Sequence, residues 1–351
     1  MKIYAWTSNK AEDGVGTLRY RITTPLTEAA YQGVVDEWAY GVNMTDGLAR
    51  SVDVIVGHML AGPLAAGIWK DLARLEGGPL LVAEYDDDLI NVRPDNALFT
   101  LKGVDYESYL RDDVPACLRI LDDADLITVS VSHLAEVLAE QTDTPIVVLP
   151  NTVDPVLLEV PQRLREPGEQ LRVGWGGSPT HDLDIRLNAD GIRYGLRKSG
   201  AQLVMLGADY RHLLKHPDTE YHPWQTRIDN YYVIVHSSHI ALAPLADDAF
   251  NRSKSALKAL EASALGIPVV ASDVRPYREF VVHGETGFLC RTEDDWMKAI
   301  RALGNDEDMR RAMGQAARRR AADFTTDKWA PRWVEAYRAA IARKSGAALP
   351  A

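Results

Sequence analysis

Cysteine is nearly absent from this sequence: Cys117 and Cys290 are the only two, one in each half. That pattern excludes a disulfide scaffold and suits reduced thiols in a cytosolic chain. Long apolar runs are also missing. No stretch approaches the roughly 20 apolar residues of a membrane helix, and the longest runs, such as 240–245, have strand length. Residues 1–6 are apolar but too few for the core of a secretory signal, and polar Thr7-Ser8-Asn9-Lys10 follows, so a cytoplasmic location without a strong membrane signal is expected. Positive charge is in deficit, 39 Lys and Arg against 50 Asp and Glu, for a net charge of −11. Bulk charge therefore opposes a non-specific polyanion binder and leaves room only for a local basic groove. There is no Gly-x-x-x-x-Gly-Lys-Ser/Thr loop, no Gly-x-Ser-x-Gly elbow and no Cys-x-x-Cys pair, and Gly14-Val15-Gly16 is too short to mark a nicotinamide dinucleotide site.

What is present is a soluble composition, 46% hydrophobic and 25% charged, over 351 residues, a length that suits two domains. In the first half, short apolar runs at 2–6, 52–57, 80–84, 126–130 and 146–149 read as buried parallel strands. Helical spacing fills 25–33, 63–75 and 132–141, the last opening on Ser132 as an N-cap. The alternation predicts a doubly wound α/β domain over 1–155. A charged stretch broken by Pro161, Pro167 and Gly168 reads as a linker. A second α/β unit, 156–326, is predicted with strands at 171–175, 202–206, 239–243, 268–272 and 287–290 and with helices over 253–265, closed by Gly266, and 292–303, closed by Gly304. Residues 327–351 form a last helix and tail. Trp329, Trp333, Val334, Tyr337 and Ile341 recur about one turn apart and demand a surface to bury against. Two such α/β units are expected to face a cleft that takes the ligand.

The helix predicted over 253–265 concentrates charge. At about 100° per residue, Lys254, Lys258 and Glu261 share one arc, apart from apolar Ala256, Leu257, Leu260 and Ala264. The helix start, with Arg252 and Lys254 beside it, suits an anion such as a diphosphate. The same pattern also describes an ordinary solvated helix face.

The run Glu261-Ala-Ser-Ala-Leu-Gly-Ile-Pro-Val-Val-Ala-Ser272, followed by Gly284-Glu285-Thr286-Gly287-Phe288-Leu289, resembles the donor-binding core of retaining glycosyltransferases of family 4 (glycosyl transferases group 1), which have the GT-B fold. Ala124–Ser130 and the Pro150-Asn151-Thr152-Val153-Asp154 turn are similar to that family's last N-domain strands and the turn into its second domain, and Gly14 and Gly16 fit its glycine loop. The resemblance implies a terminal helix packed back on the N-terminal domain, and an enzyme that moves a sugar from a nucleoside diphosphate sugar to a hydroxyl acceptor, with retention, without a metal or other cofactor. The acceptor class stays open among small molecules, glycans, proteins and modified nucleic-acid bases. Alternatives on the same frame are a nucleotide-sugar epimerase or phosphorylase and a non-catalytic sugar-nucleotide-binding protein.

In that family two glutamates are separated by seven intervening residues, one near the transferred sugar and one on the nucleotide ribose. Glu261 matches the second; Ser253 occupies the first position. Eight residues of helix at about 1.5 Å each span roughly 12 Å, the reach from ribose to sugar across a diphosphate. Asn251, Arg252, Lys254 and Ser255 are expected to supply the missing contacts, with Lys258 as a further phosphate cation. The turn Gly174-Trp175-Gly176-Gly177-Ser178-Pro179-Thr180-His181 lacks the family's Arg and Lys, so phosphate is expected on amides around Gly177 and Ser178 with His181 close by; the other reading of His181 is a surface-loop histidine. Asp86, Asp87 and Asp88 follow an N-domain strand. Asp86 and Asp88, with His181 and Lys254, are the candidate catalytic groups; Arg19, Arg21 and Asp87 are candidate acceptor contacts; no metal ligand set is assigned.

Overall fold

The computed structural model describes residues 1–7 and 16–346, so Gly14 lies outside the described residues. The chain divides into two compact units, the first comprising Met1–Asn151, Ser253–Ser255 and the chain from Thr326 on, the second Thr152–Arg252 and Ala256–Thr325.

The first unit is built on a parallel sheet of six strands: β1 (Lys2–Thr7), β2 (Glu37–Gly41), β3 (Val54–His58), β4 (Leu80–Tyr85), β5 (Leu126–Val129) and β6 (Ile146–Val148), in the order β2-β1-β3-β4-β5-β6. Because both faces are covered by helices, successive residues of the central strands are mostly apolar but serve different cores. Tyr4, Ile55, Leu81 and Ile127 pack on Trp69, Ile120 and Leu134. Ile3, Val54, Val82 and Leu126 pack on Ile22 and Leu26 from the other side, together with Trp333, Val334 and Tyr337. Those last three belong to the Thr326–Lys344 helix, which returns to this unit as the resemblance implies. Trp333 and Tyr337 are fully buried, and each contributes roughly 1.5–3 kcal/mol.

The second unit repeats the plan with β7 (Arg172–Gly177), β8 (Gln202–Gly207), β9 (Thr219–His222), β10 (Ile240–Ala243), β11 (Val269–Ser272) and β12 (Gly287–Cys290), ordered β12-β11-β10-β7-β8-β9 and all parallel. One face buries Val173, Met205 and Leu242 against the Ala189–Ser199 and Glu293–Asn305 helices. Those two helices touch closely because Gly191 and Gly195 lack side chains: a Cβ on Gly191 would sit 2.4 Å from the Glu293 carbonyl oxygen.

Several expectations are corrected. Strands β2 and β9 escape the apolar-run criterion because each is an edge strand with one neighbour, and their sequences, Glu-Trp-Ala-Tyr-Gly and Thr-Glu-Tyr-His, are accordingly only half-buried or exposed. Val131, not Ser132, is the N-cap of the Ser132–Ala139 helix. Gly304 lies inside the Glu293–Asn305 helix rather than closing it. Most consequentially, 253–265 is not one helix. The chain forms Ala249–Arg252, leaves helical geometry, and restarts at Leu257–Ala264, with Gly266 (φ +72°) just past the end.

Candidate functional site

In open parallel sheets ligands gather beyond the carboxyl ends of the strands, where the strand order reverses. In the second unit that point lies between β7 and β10. The chain leaving β7 turns at Ser178 into Pro179–His181 and the short Asp182–Arg186 helix. His181 is buried, with its ring edge-on to Trp175 at 6.2 Å. A Cβ on Gly177 would stand 2.9 Å from His181 Cδ2, so this glycine makes room for the imidazole. Asp184 Oδ2 lies 2.6 Å from His181 Nδ1, and Lys258 Nζ lies 2.9 Å from Nε2. Asp184 Oδ1 accepts from the Ala246 amide at 2.8 Å and from Asn251 Nδ2 at 3.0 Å. Beside this chain of contacts is a cavity of about 40 Å³, lined by Gly174, Trp175 and Gly176 of β7, Ala241 and Leu242 of β10, and the side chains of Tyr231 and Lys258. Glu261, one turn beyond Lys258, is 2% exposed and accepts from the Tyr231 hydroxyl at 2.7 Å. Burial beside that carboxylate pushes the Tyr231 phenol well above its ordinary value.

The corresponding point of the first unit lies between β1 and β3, where Thr7 Oγ1 approaches His58 Nδ1 at 3.4 Å. Burial, reinforced by Arg21, pushes His58 down to about 3, so the ring is neutral. Arg21 is itself fully buried. It donates from Nε to Glu84 Oε1 at 2.6 Å and from Nη1 to the Leu149 carbonyl and, at 3.1 Å, to Asn151 Oδ1. Thr128 donates to the other Glu84 oxygen. Burial raises the Glu84 carboxyl against the opposing pull of Arg21. Asp86 is likewise raised by burial, despite Arg21, and accepts from Asn151 Nδ2 at 3.1 Å. Asn151 Nδ2 also donates to Ser255 at 2.8 Å, Lys254 Nζ lies 3.7 Å from Asp87, and the Ser253 hydroxyl lies 3.5 Å from Asp88. Asp88 is a turn carboxylate: it accepts from the Ile90 and Asn91 amides at 2.9 and 3.0 Å and from Asn91 Nδ2 at 2.8 Å. Among the described residues no three His, Cys, Asp or Glu side chains are grouped to hold a metal ion.

Residues 198–320, which run from before β8 to beyond β12, match the family "Glycosyl transferases group 1". The chain has the GT-B fold, and the matched segment is similar to group 1 glycosyltransferases. It is 40% identical over 97 residues to a D-inositol 3-phosphate glycosyltransferase of Pseudarthrobacter chlorophenolicus, a stretch covering 27% of this chain and 23% of that protein. The matched stretch thus spans about a quarter of that relative's length. In structure it is similar to sucrose-phosphate synthase from Thermosynechococcus elongatus, with a TM-score of 0.70 at 14% identity over 98% of this chain and 100% of the other. The Anabaena protein HepE in complex with UDP gives a TM-score of 0.64 at 14% identity, over 95% and 99%.

Within this GT-B chain the residues singled out from sequence separate. His181 and Asn251 converge on Asp184, Lys258 reaches this group through His181, and Glu261 lies on the same helix as Lys258. Lys254 and Ser255 belong to the other unit, because the break at 253–255 takes them off the helix. Arg252 is engaged at 2.7 Å by Asp247, which removes it as an unpaired phosphate cation. Asn251 is turned to Asp184 and Asp248 and is a structural amide. Ser178 caps nothing with its side chain and shares a hydrogen bond with Thr180 at 2.8 Å. Asp182 and Asp184 occupy the first turn of the next helix, a setting that opposes an anion on its amides. His181 is buried rather than a surface-loop histidine, and Glu261 is buried rather than turned outward. Arg21 is a core cation and not an exposed acceptor contact, whereas Arg19 is half-buried and Gly16 has φ +127°. Sequence reasoning missed Asp184, Tyr231, His58 and Glu84. Asp184 alone carried a signal, three residues after His181 on the next helical turn; the other three gain their partners from distant strands and helices.

Proposed function

We propose that this protein is a cytoplasmic glycosyltransferase that moves a sugar from a nucleoside diphosphate sugar to a hydroxyl acceptor, with retention at the anomeric carbon, and that its second unit binds the donor. The observation that carries this reading is the half-buried Lys258 joined to the buried His181 and Asp184 beside a cavity at the β7–β10 reversal, within a unit that carries the group 1 glycosyltransferase match. The HepE structure contains UDP, a ligand of the chemistry proposed here.

In the reaction the bond from the anomeric carbon to the diphosphate oxygen breaks, that oxygen keeps the electron pair, and the acceptor oxygen forms the new bond as its proton leaves. Charge grows on the departing diphosphate. A preorganised ammonium aimed at that charge lowers the barrier. Lys258 fills this role in our reading, with no metal required. Glu261 binds the ribose hydroxyls; a carboxylate has about four lone-pair sites, so the bond from Tyr231 orients it without saturating it. Two buried free thiols, Cys117 and Cys290, suit a reducing compartment.

The test is turnover of UDP-, GDP- and ADP-sugars with acceptor pools, following release of the nucleoside diphosphate and the anomeric configuration of the product by NMR. Acceptor-dependent release with retained configuration is expected. Inverted product would refute retention, and failure to bind or consume any of the donors would refute the transferase reading.

A further inference from the structure

The turn that leaves β7 contains no Arg or Lys before Arg186, and that guanidinium is engaged at 2.6 Å by Asp182. Arg252 is engaged by Asp247, and Lys254 lies with Asp87 in the first unit. Among the described residues that line the cavity Lys258 is the one cation, and the way it is held is specific.

An ammonium donates hydrogen bonds and accepts none. The 2.9 Å contact with Lys258 therefore makes His181 Nε2 the lone-pair nitrogen, which assigns the proton of the neutral ring to Nδ1, the atom that faces Asp184 at 2.6 Å. The carboxylate is fixed in turn by the Ala246 amide, which follows β10, and by Asn251 from the Ala249–Arg252 helix. The imidazole is held in a buried setting, with Trp175 edge-on to its ring and its own backbone N–H donating to the Tyr210 hydroxyl at 3.1 Å. A lysine side chain normally surrenders much rotamer freedom when it grips a ligand; here that ordering precedes binding.

Resting on the donor-binding reading above, we propose that Asp184 and His181 are positioning residues that fix the Lys258 ammonium for the donor's diphosphate, so that Asp184–His181–Lys258 together do what a cation in the β7 turn would otherwise do. His181 acts through Lys258 and not on the sugar. Asn251 belongs to the same assembly as the anchor of Asp184.

The experiment is titration calorimetry of the full chain with UDP, GDP and ADP and with the matching nucleosides uridine, guanosine and adenosine. For the nucleotide that binds, Lys258→Met and His181→Ala should each lower diphosphate affinity about 10- to 100-fold, the range expected for a charge-assisted hydrogen bond, with nucleoside affinity unchanged. The double variant should bind no more weakly than Lys258→Met alone, because His181 contributes only through the lysine. His181→Gln, whose amide oxygen can accept from Lys258, should recover most of the loss. Asp184→Asn should behave like His181→Ala; should it unfold, the histidine variants decide. Equal loss for nucleoside and diphosphate, or additive losses in the double variant, would overturn the inference and leave His181 a packing residue. Wild-type protein that binds none of the diphosphates would instead defeat the donor-binding reading, and the inference with it.

Discussion

Replacing Arg21 by Met separates a core role from a ligand-contact role. The guanidinium has no exposed surface, pairs with Glu84 at 2.6 Å, and lies over the Trp333 ring at 5.4 Å from its centroid. Methionine keeps much of the volume, so the loss is chiefly electrostatic. It leaves a Glu84 carboxylate with no exposed surface and with Thr128 as its remaining named donor. Breaking a buried pair from one side costs about 3–5 kcal/mol, and the Leu149 carbonyl and Asn151 amide oxygen lose a donor besides. A loss of about 4–6 kcal/mol is expected, against a total stability of roughly 5–15 kcal/mol for a typical domain. The deficit must depend on pH. Burial already raises Glu84, and removing Arg21 takes away the main influence that lowers it. A carboxyl raised in the folded state lends stability below its unfolded value of about 4.3 and loses it as pH climbs through the folded value. The variant should therefore fall further behind wild type at pH 8 than at pH 5, and adding Glu84→Gln should restore part of the loss at pH 8. Urea denaturation followed by tryptophan fluorescence at both pH values measures this. A variant within about 1 kcal/mol of wild type at pH 8 whose sugar transfer had nonetheless collapsed would refute the core role and return Arg21 to the acceptor side.

Glu261→Ala should weaken nucleoside diphosphate binding by about 2–3 kcal/mol and, by stranding the Tyr231 hydroxyl, cost about 1–3 kcal/mol of stability; calorimetry showing unchanged affinity would remove Glu261 from the donor site. Turnover should persist in a chelator such as EDTA, since Lys258 is assigned the charge on the diphosphate; complete loss restored by Mg²⁺ or Mn²⁺ would overturn metal independence. Deleting the chain from Thr326 exposes the surface that Trp333, Val334 and Tyr337 cover, so calorimetry should show the first unit melting many degrees earlier while the transition of the second unit stays in place. An unchanged thermogram would make that helix an appendage.

The sequence by itself determined the alternation of apolar strands and amphipathic helices, the apolar stripe that the terminal helix buries, and the glycine past Ala264, because these depend on local periodicity and backbone conformation. It spoke weakly where burial is partial: β2 and β9 have solvent on one side, so their polar residues carry no strand-like apolar run. It misled at 253–265, where Ser253, Lys254 and Ser255 read as the first turn of a helix. There the contacts with Asp88, Asp87 and Asn151 compete with helical hydrogen bonding, and such partners, more than 100 residues away in sequence, leave no trace in any local pattern. The polar clusters obey the same logic. Arg21 was expected to contact the acceptor, until the strands brought it together with Glu84 and Asn151 out of water, and Lys258 and Glu261 were named without Asp184 and Tyr231, the partners that orient or hold them. Which cation meets which carboxylate was decided by the tertiary structure alone, because desolvation makes an unpaired buried charge too costly to persist and the fold selects the partner that removes that cost.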